Sequence, residues 1–177
     1  MMDPITELKT RAELLHHAIE RGERAALERL RALPEHRRAE ADALATRAAD
    51  VQRKHCLAIV ARELGFDGWE HASAVIEGAN DARGLGTLMH AHTGLGESLH
   101  EWFADYDEAR ARFESASDRR YLLGYKKHFF LANDEFVRGL GLDPDDDAWR
   151  AIGFDWARPR DPDARRALFG KRLAATR

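Results

Sequence analysis

Residues 61–69 read Ala61-Arg62-Glu63-Leu64-Gly65-Phe66-Asp67-Gly68-Trp69. Two glycines stand between an alanine-rich run and a second apolar run, and glycine lets a chain leave one helix and turn into another. The stretch reads as helix, corner, helix, and it sets the fold class around it. Upstream, from about Arg37 to Leu64, there is neither Gly nor Pro. Leu44, Ala48, Val51, His55, Ala58 and Ile59 fall along one side, which predicts a long third helix, broken near its start and ended by Gly65. Further back, Asp3-Pro4 supplies an N-cap and a first-turn proline. Ile5, Leu8, Ala12, Leu15 and Ile19 then form one apolar stripe. Gly22 breaks that helix, and Ala26, Leu27, Leu30 and Leu33 mark a second one closed by Pro34. Downstream, a short helix runs from Trp69 through Val75 and Ile76 to Gly78.

The corner has the four-residue spacing of a DNA-binding turn, from Ala61 to Gly65. The helix that would enter the groove, Trp69 to Glu77, carries Glu70 and Glu77 and no Lys or Arg. Acidic side chains are repelled by phosphates, so the corner reads as packing, with Phe66 and Trp69 turned to the core. The whole chain agrees. Its 177 residues carry a net charge of -3, and its charged residues, 33% of the total, are mixed in sign, so no basic surface points to nucleic acid. The single cysteine, Cys56, allows no intrachain disulfide framework. The first ten residues lack the basic-then-apolar layout of a secretory signal, and no apolar run reaches the length of a membrane span. The expected compartment is the cytoplasm.

Residues 79–98 lose helical periodicity, with glycines at 84, 86, 94 and 96. They divide a helical module, 1–78, from a second region, 99–177, and form either a linker or a functional loop. In the second region, His100 to Tyr106 reads as a short strand and Asp107 to Ser115 as a helix. Tyr121 to Leu131, rich in aromatic and apolar residues, is the best strand candidate. Asn133 caps a helix through Leu140, a short helix covers Trp149 to Ile152, and Asp161 or Asp163 caps a last helix containing Leu168 and Leu173. The fold class expected is mainly α: an N-terminal helical bundle, then a small α+β region with a short hairpin or sheet.

With these elements named, two resemblances emerge. Residues 53–69, with the helices before them, resemble a helical module of uncharacterised bacterial proteins in which an "ARELGF-x-x-W" element ends a region placed ahead of ankyrin repeats. Here no ankyrin repeats follow. Trp102 to Tyr106, Tyr121 to Lys126 and Gly141 to Pro144 resemble a second bacterial segment, with Trp-Phe-Ala-x-Tyr and Tyr-Leu-Leu-x-Tyr-Lys runs. Neither resemblance implies an activity.

Two constellations carry candidate chemistry. His90-Ala91-His92 places two imidazoles two residues apart, which share a side on an extended segment. His100 follows, with Glu97 and Glu101 near. Three imidazoles, or two and a carboxylate, make an open site for a divalent transition metal. The second constellation is the aromatic–basic run. Read as one strand, it puts Leu123, Tyr125, Lys127 and Phe129 on one face and Leu122, Lys126, His128 and Phe130 on the other. With one face packed, the other offers aromatic, cationic and imidazole groups that suit an anionic or planar ligand, and Trp102, Tyr106, Tyr125, Lys126 and His128 are the residues expected to bind it. Asp143, Asp145, Asp146 and Asp147 lack the spacing of a calcium loop and read as helix caps. Cys56 lies inside a helix and reads as buried. No nucleophile elbow, phosphate loop or dinucleotide fingerprint is present.

The function expected is a small cytoplasmic binding or protein-interaction module without catalytic activity and with no cofactor. Its partner is another protein or a second copy, not nucleic acid or membrane. The alternative is a metal-dependent enzyme or small-ligand protein built on His90, His92 and His100.

Overall fold

The computed structural model describes residues 3–79, 82–90 and 100–176. The protein is mainly α with a small α+β region. Helix α1 (Pro4–Glu20) starts as its caps dictate: the Asp3 carboxylate accepts from the Thr6 amide at 3.0 Å, and Pro4 fills the first turn. Its stripe of Leu8, Ala12, Leu15 and Ile19 is buried, and each fully buried leucine or isoleucine contributes roughly 1.5–3 kcal/mol of transfer free energy. Helix α2 (Arg24–Arg29) follows, with 3-10 turns at Leu30–Ala32 and Pro34–His36.

The expected long third helix is two helices, α3 (Ala41–Arg47) and α4 (Arg53–Glu63). A 3-10 turn, Ala48–Asp50, and extended residues Val51 and Gln52 separate them. The break has a physical basis that hydrophobic periodicity does not register. Gln52 and His55 form a reciprocal cap, in which the Gln52 amide donates to His55 Nδ1 at 3.0 Å. Gly65 closes α4, its amide donating to the Arg62 carbonyl at 2.9 Å. Helix α5 (Trp69–Ile76) restarts directly after the corner, and Phe66 is buried within it.

The sheet holds three antiparallel strands in the order β1-β3-β2: β1 (Glu101–Phe103), β2 (Tyr121–Tyr125) and β3 (His128–Ala132). The run expected as one strand is a hairpin, turning at Lys126-Lys127, where Lys126 adopts a φ of 53°. The turn changes the faces. Tyr125 pairs with His128, and Leu123 with Phe130, so these four residues share one face. Leu122, Phe129 and Leu131 share the other, which packs on Ala109 and Phe113 of helix α6 (Tyr106–Glu114).

Helix α7 (Asp134–Gly139) is capped by Asn133, whose Oδ1 accepts from the Phe136 amide at 2.9 Å. Helix α8 (Asp147–Ala151) is capped by Asp146, and α9 (Pro162–Ala174) by Asp161. Asp143 and Asp145 complete this acidic loop, the first accepting from the Asp145 amide and the second pairing with Arg119 at 2.8 Å. Helix α9 returns to α1 and α5, and one buried apolar cluster runs from Leu8 and Ile59 to Trp149 and Leu173. Among the described residues no helix is long and apolar enough to cross a membrane.

Candidate functional site

The described part of the glycine-broken stretch, 82–90, is held by hydrogen bonds and buried side chains. The Leu85 amide donates to the Lys126 carbonyl at 2.9 Å, and the Lys126 amide donates to Gly86 at 2.7 Å. On its other side the Thr87 amide donates to the Leu64 carbonyl at 2.8 Å. Buried His71 of α5 accepts the Asp67 amide on Nδ1 at 3.1 Å, leaving Nε2–H to donate to the Gly84 carbonyl at 2.8 Å. Residues 84–87 thus tie the 61–69 corner to the hairpin tip. Leu85, Leu88 and Met89 go into the core behind them.

This anchoring delivers His90 to the sheet. Its ring centroid lies 5.3 Å from Trp102, 5.0 Å from Tyr125 and 5.4 Å from Phe130. His100, at the start of β1, packs 5.3 Å from Phe130 and 4.5 Å from Phe136. Two constellations that were separate along the chain therefore meet on one face. Burial among these rings holds both imidazoles below the usual histidine range, against a backbone hydrogen bond at Leu131 that raises His100. The third predicted metal ligand, His92, and the nearby Glu97 lie outside the described residues. Glu101 is engaged by Arg112 at 2.7 and 2.8 Å. Among the described residues no group of three or more His, Cys, Asp or Glu side chains is placed to hold a metal ion.

Trp102 is the outer member of the aromatic cluster. Its indole stacks on buried Phe130 at 4.7 Å and meets Tyr125 edge-on at 6.0 Å, yet it remains 45% exposed. The Lys126 ammonium lies 5.4 Å from the Tyr125 ring, and exposed His128 sits across from Tyr125. Four of the five residues expected to bind a ligand, Trp102, Tyr125, Lys126 and His128, are thus neighbours. The fifth, Tyr106, belongs to the opposite side of the sheet, where it packs on Phe129. Its hydroxyl donates to buried Asp155 at 2.6 Å, beside Arg110 at 3.1 Å, and Arg158 stacks over its ring at 3.8 Å. Burial and the Asp155 carboxylate push the Tyr106 hydroxyl up to about 12.

Sequence reasoning missed Phe130 and His90 as neighbours of Trp102, and Phe136 packed behind them. The hairpin turn decides the first, and long-range packing decides the other two, so no local pattern carried them. Two clefts of about 420 and 550 Å³ flank the corner instead. The larger is lined by Arg31, Arg37 and Arg62 but also by Glu63 and Asp67. Arg31 is held by Glu28 at 2.6 Å, and Arg62 donates to the Asp67 carbonyl at 3.0 Å, so much of its positive charge is already engaged. Cys56 is buried, and desolvation pushes its thiol up to about 11, far from the thiolate a nucleophile needs. Compared with family models, curated proteins and solved structures, the chain matches none.

Proposed function

We propose that this chain is a non-catalytic cytoplasmic binding module whose contact surface is the aromatic face centred on Trp102. One observation carries the reading: a tryptophan held rigidly by a buried ring while nearly half of it stays in water. Burying an aromatic side chain is favourable and tryptophan is enriched among interface anchors, so an exposed indole on a fixed support suits a contact residue. Among the described residues the other exposed large hydrophobic side chain, Leu14, stands on α1 with no ring contact to back it. The non-catalytic part of the reading is supported by the occupied states of the candidate groups. Tyr106 is bonded to Asp155, Cys56 is buried, and both cluster imidazoles are packed against rings.

The test is a titration with naphthalenemethanol, a neutral ring probe, followed at the indole N–H resonances of the four tryptophans. A saturable shift confined to Trp102 is expected. A response centred on another tryptophan, or none up to the solubility of the probe, would refute this assignment.

A further inference from the structure

We propose that the Trp102 face takes a planar aromatic anion, with the ring stacked on the indole and the anionic group held by Lys126 and Lys127. This rests on the reading of that face as a contact surface and adds the chemistry of its ligand.

The indole is held by rings on several sides. Phe130 backs the indole at an interplanar angle of 30°, while His90 and Tyr125 flank it. The tryptophan is therefore fixed in place before anything binds, and little side-chain freedom remains to be lost on stacking. An aromatic plane is the complementary shape for a fixed, exposed indole.

The charge half comes from the hairpin tip. Lys126 and Lys127 are both exposed, and neither has a carboxylate partner among the described residues. Elsewhere in the C-terminal region Arg110, Arg112, Arg119, Arg150 and Lys171 are bridged to acids, while Arg160, also exposed without an acid partner among the described residues, belongs to the loop before α9 and not to the hairpin. Tyr125 joins the two halves, touching Trp102 on one side and the Lys126 ammonium on the other. The carboxylate on β1, Glu101, is bridged in two places by Arg112 and does not compete for the lysines. His90 is packed among rings and adds no cation at neutral pH, so preference for an anion falls to the lysine pair.

The test compares naphthoate with naphthalenemethanol, which share a ring and differ in charge, by the shift of the Trp102 indole resonance in the intact chain. At low salt naphthoate is expected to bind about fivefold tighter, the scale of an exposed ion pair, and high salt is expected to erase the difference. Lys126→Asn with Lys127→Ala is expected to abolish the preference while neutral-ring binding persists; asparagine is chosen because it accepts the positive φ of this turn. Trp102→Ala is expected to lose both ligands, as followed by the line broadening of the probes' own ring protons, with the far-ultraviolet spectrum unchanged. Equal affinity for the two probes overturns the anion proposal and leaves the contact surface standing. Failure of both to reach Trp102 overturns the two together.

Discussion

His90 and His100 show how a side chain's environment turns into a property of the protein. Each imidazole lies against Phe130 and Phe136, with Trp102 and Tyr125 beyond His90 and Arg120 near His100. Desolvation disfavours the charged ring in the folded chain, and the positive neighbours of His100 act in the same direction. Unfolding returns both to water and to the ordinary value of 6.5. Below that pH the unfolded chain binds more protons than the folded one, so stability falls as pH drops and rises as pH increases through the same window. Urea midpoints at pH 5 and at neutral pH are expected to differ, with the acid value lower. In His90→Phe/His100→Phe the rings remain, the titration is gone, and the difference between the two midpoints is expected to shrink. An unchanged difference would mean that other groups carry the acid sensitivity. Loss of the His100 contact with the Leu131 backbone lowers the double variant at both pH values, which is why the pH difference is the quantity to read. The carboxylates of Asp134 and Asp146, held below their usual range, act only in a lower window.

At the scale of elements, the hairpin tip depends on the segment that passes beneath it. Gly84 has a φ of 120°, and a Cβ placed there would lie 2.6 Å from the Lys126 carbonyl oxygen. Gly22, between α1 and α2, also has a positive φ, at 71°, but nothing lies within 4 Å of its would-be Cβ. Gly22→Ala therefore carries conformational strain alone, about 1 kcal/mol. Gly84→Ala adds a backbone clash and is expected to cost about 3 kcal/mol or more. Denaturant titration of the two variants checks the order, and equal losses would show that 84–86 yields to the added Cβ with no cost beyond conformational strain. This dependence marks where sequence reading reached its limit. The caps at Asp3, Asn133 and Asp161, the corner at Gly65 and the last helix follow from local chemistry, and local chemistry is legible in sequence. The Gln52–His55 cap was hidden because the flanking alanines maintain a helical pattern across it. The Lys126-Lys127 turn was hidden because neither lysine is a turn residue by composition. Without that turn, alternation puts Phe130 and His128 on the face opposite Tyr125 and conceals the Phe130 support beneath Trp102, beside Tyr125. Their meeting with His90 needed the contact between 84–87 and the hairpin, which no spacing encodes.

Over the whole molecule, α9 draws the two halves of the chain together. Arg166 pairs with Asp3 at 2.6 Å, and Arg11 donates to the Leu173 carbonyl at 2.7 Å, joining α9 to α1. Arg165, almost fully buried, donates to the Trp156 carbonyl at 3.3 Å and to the Val75 carbonyl at the end of α5. Burial brings its guanidinium down to about 10, with Asp155 opposing the shift, so it remains charged at neutral pH. A cation near the last carbonyls of α5 opposes the helix dipole favourably, and its hydrogen bonds satisfy groups that water does not reach. Because the apolar core is also continuous between the halves, unfolding is expected to be a single cooperative event. Two probes placed by the chain itself can check this. Cys56 is buried in α4 and is expected to react with thiol reagents only when that helix opens, whereas in a chain carrying Trp69→Phe and Trp102→Phe the remaining fluorescence comes from Trp149 and Trp156, buried in the other half. Fractions unfolded by thiol labelling and by fluorescence should coincide across a urea series. Arg165→Met removes the guanidinium, leaving the buried Trp156 carbonyl without that donor and the Val75 carbonyl to the Gly78 amide at 3.2 Å, at a cost on the order of 2 kcal/mol after relief of the buried charge is counted. In that variant both curves should move together to lower urea. If labelling at Cys56 instead preceded the fluorescence change in the parent chain, the N-terminal helices would be opening on their own, and α9 would be resting on them rather than binding the halves into one cooperative unit.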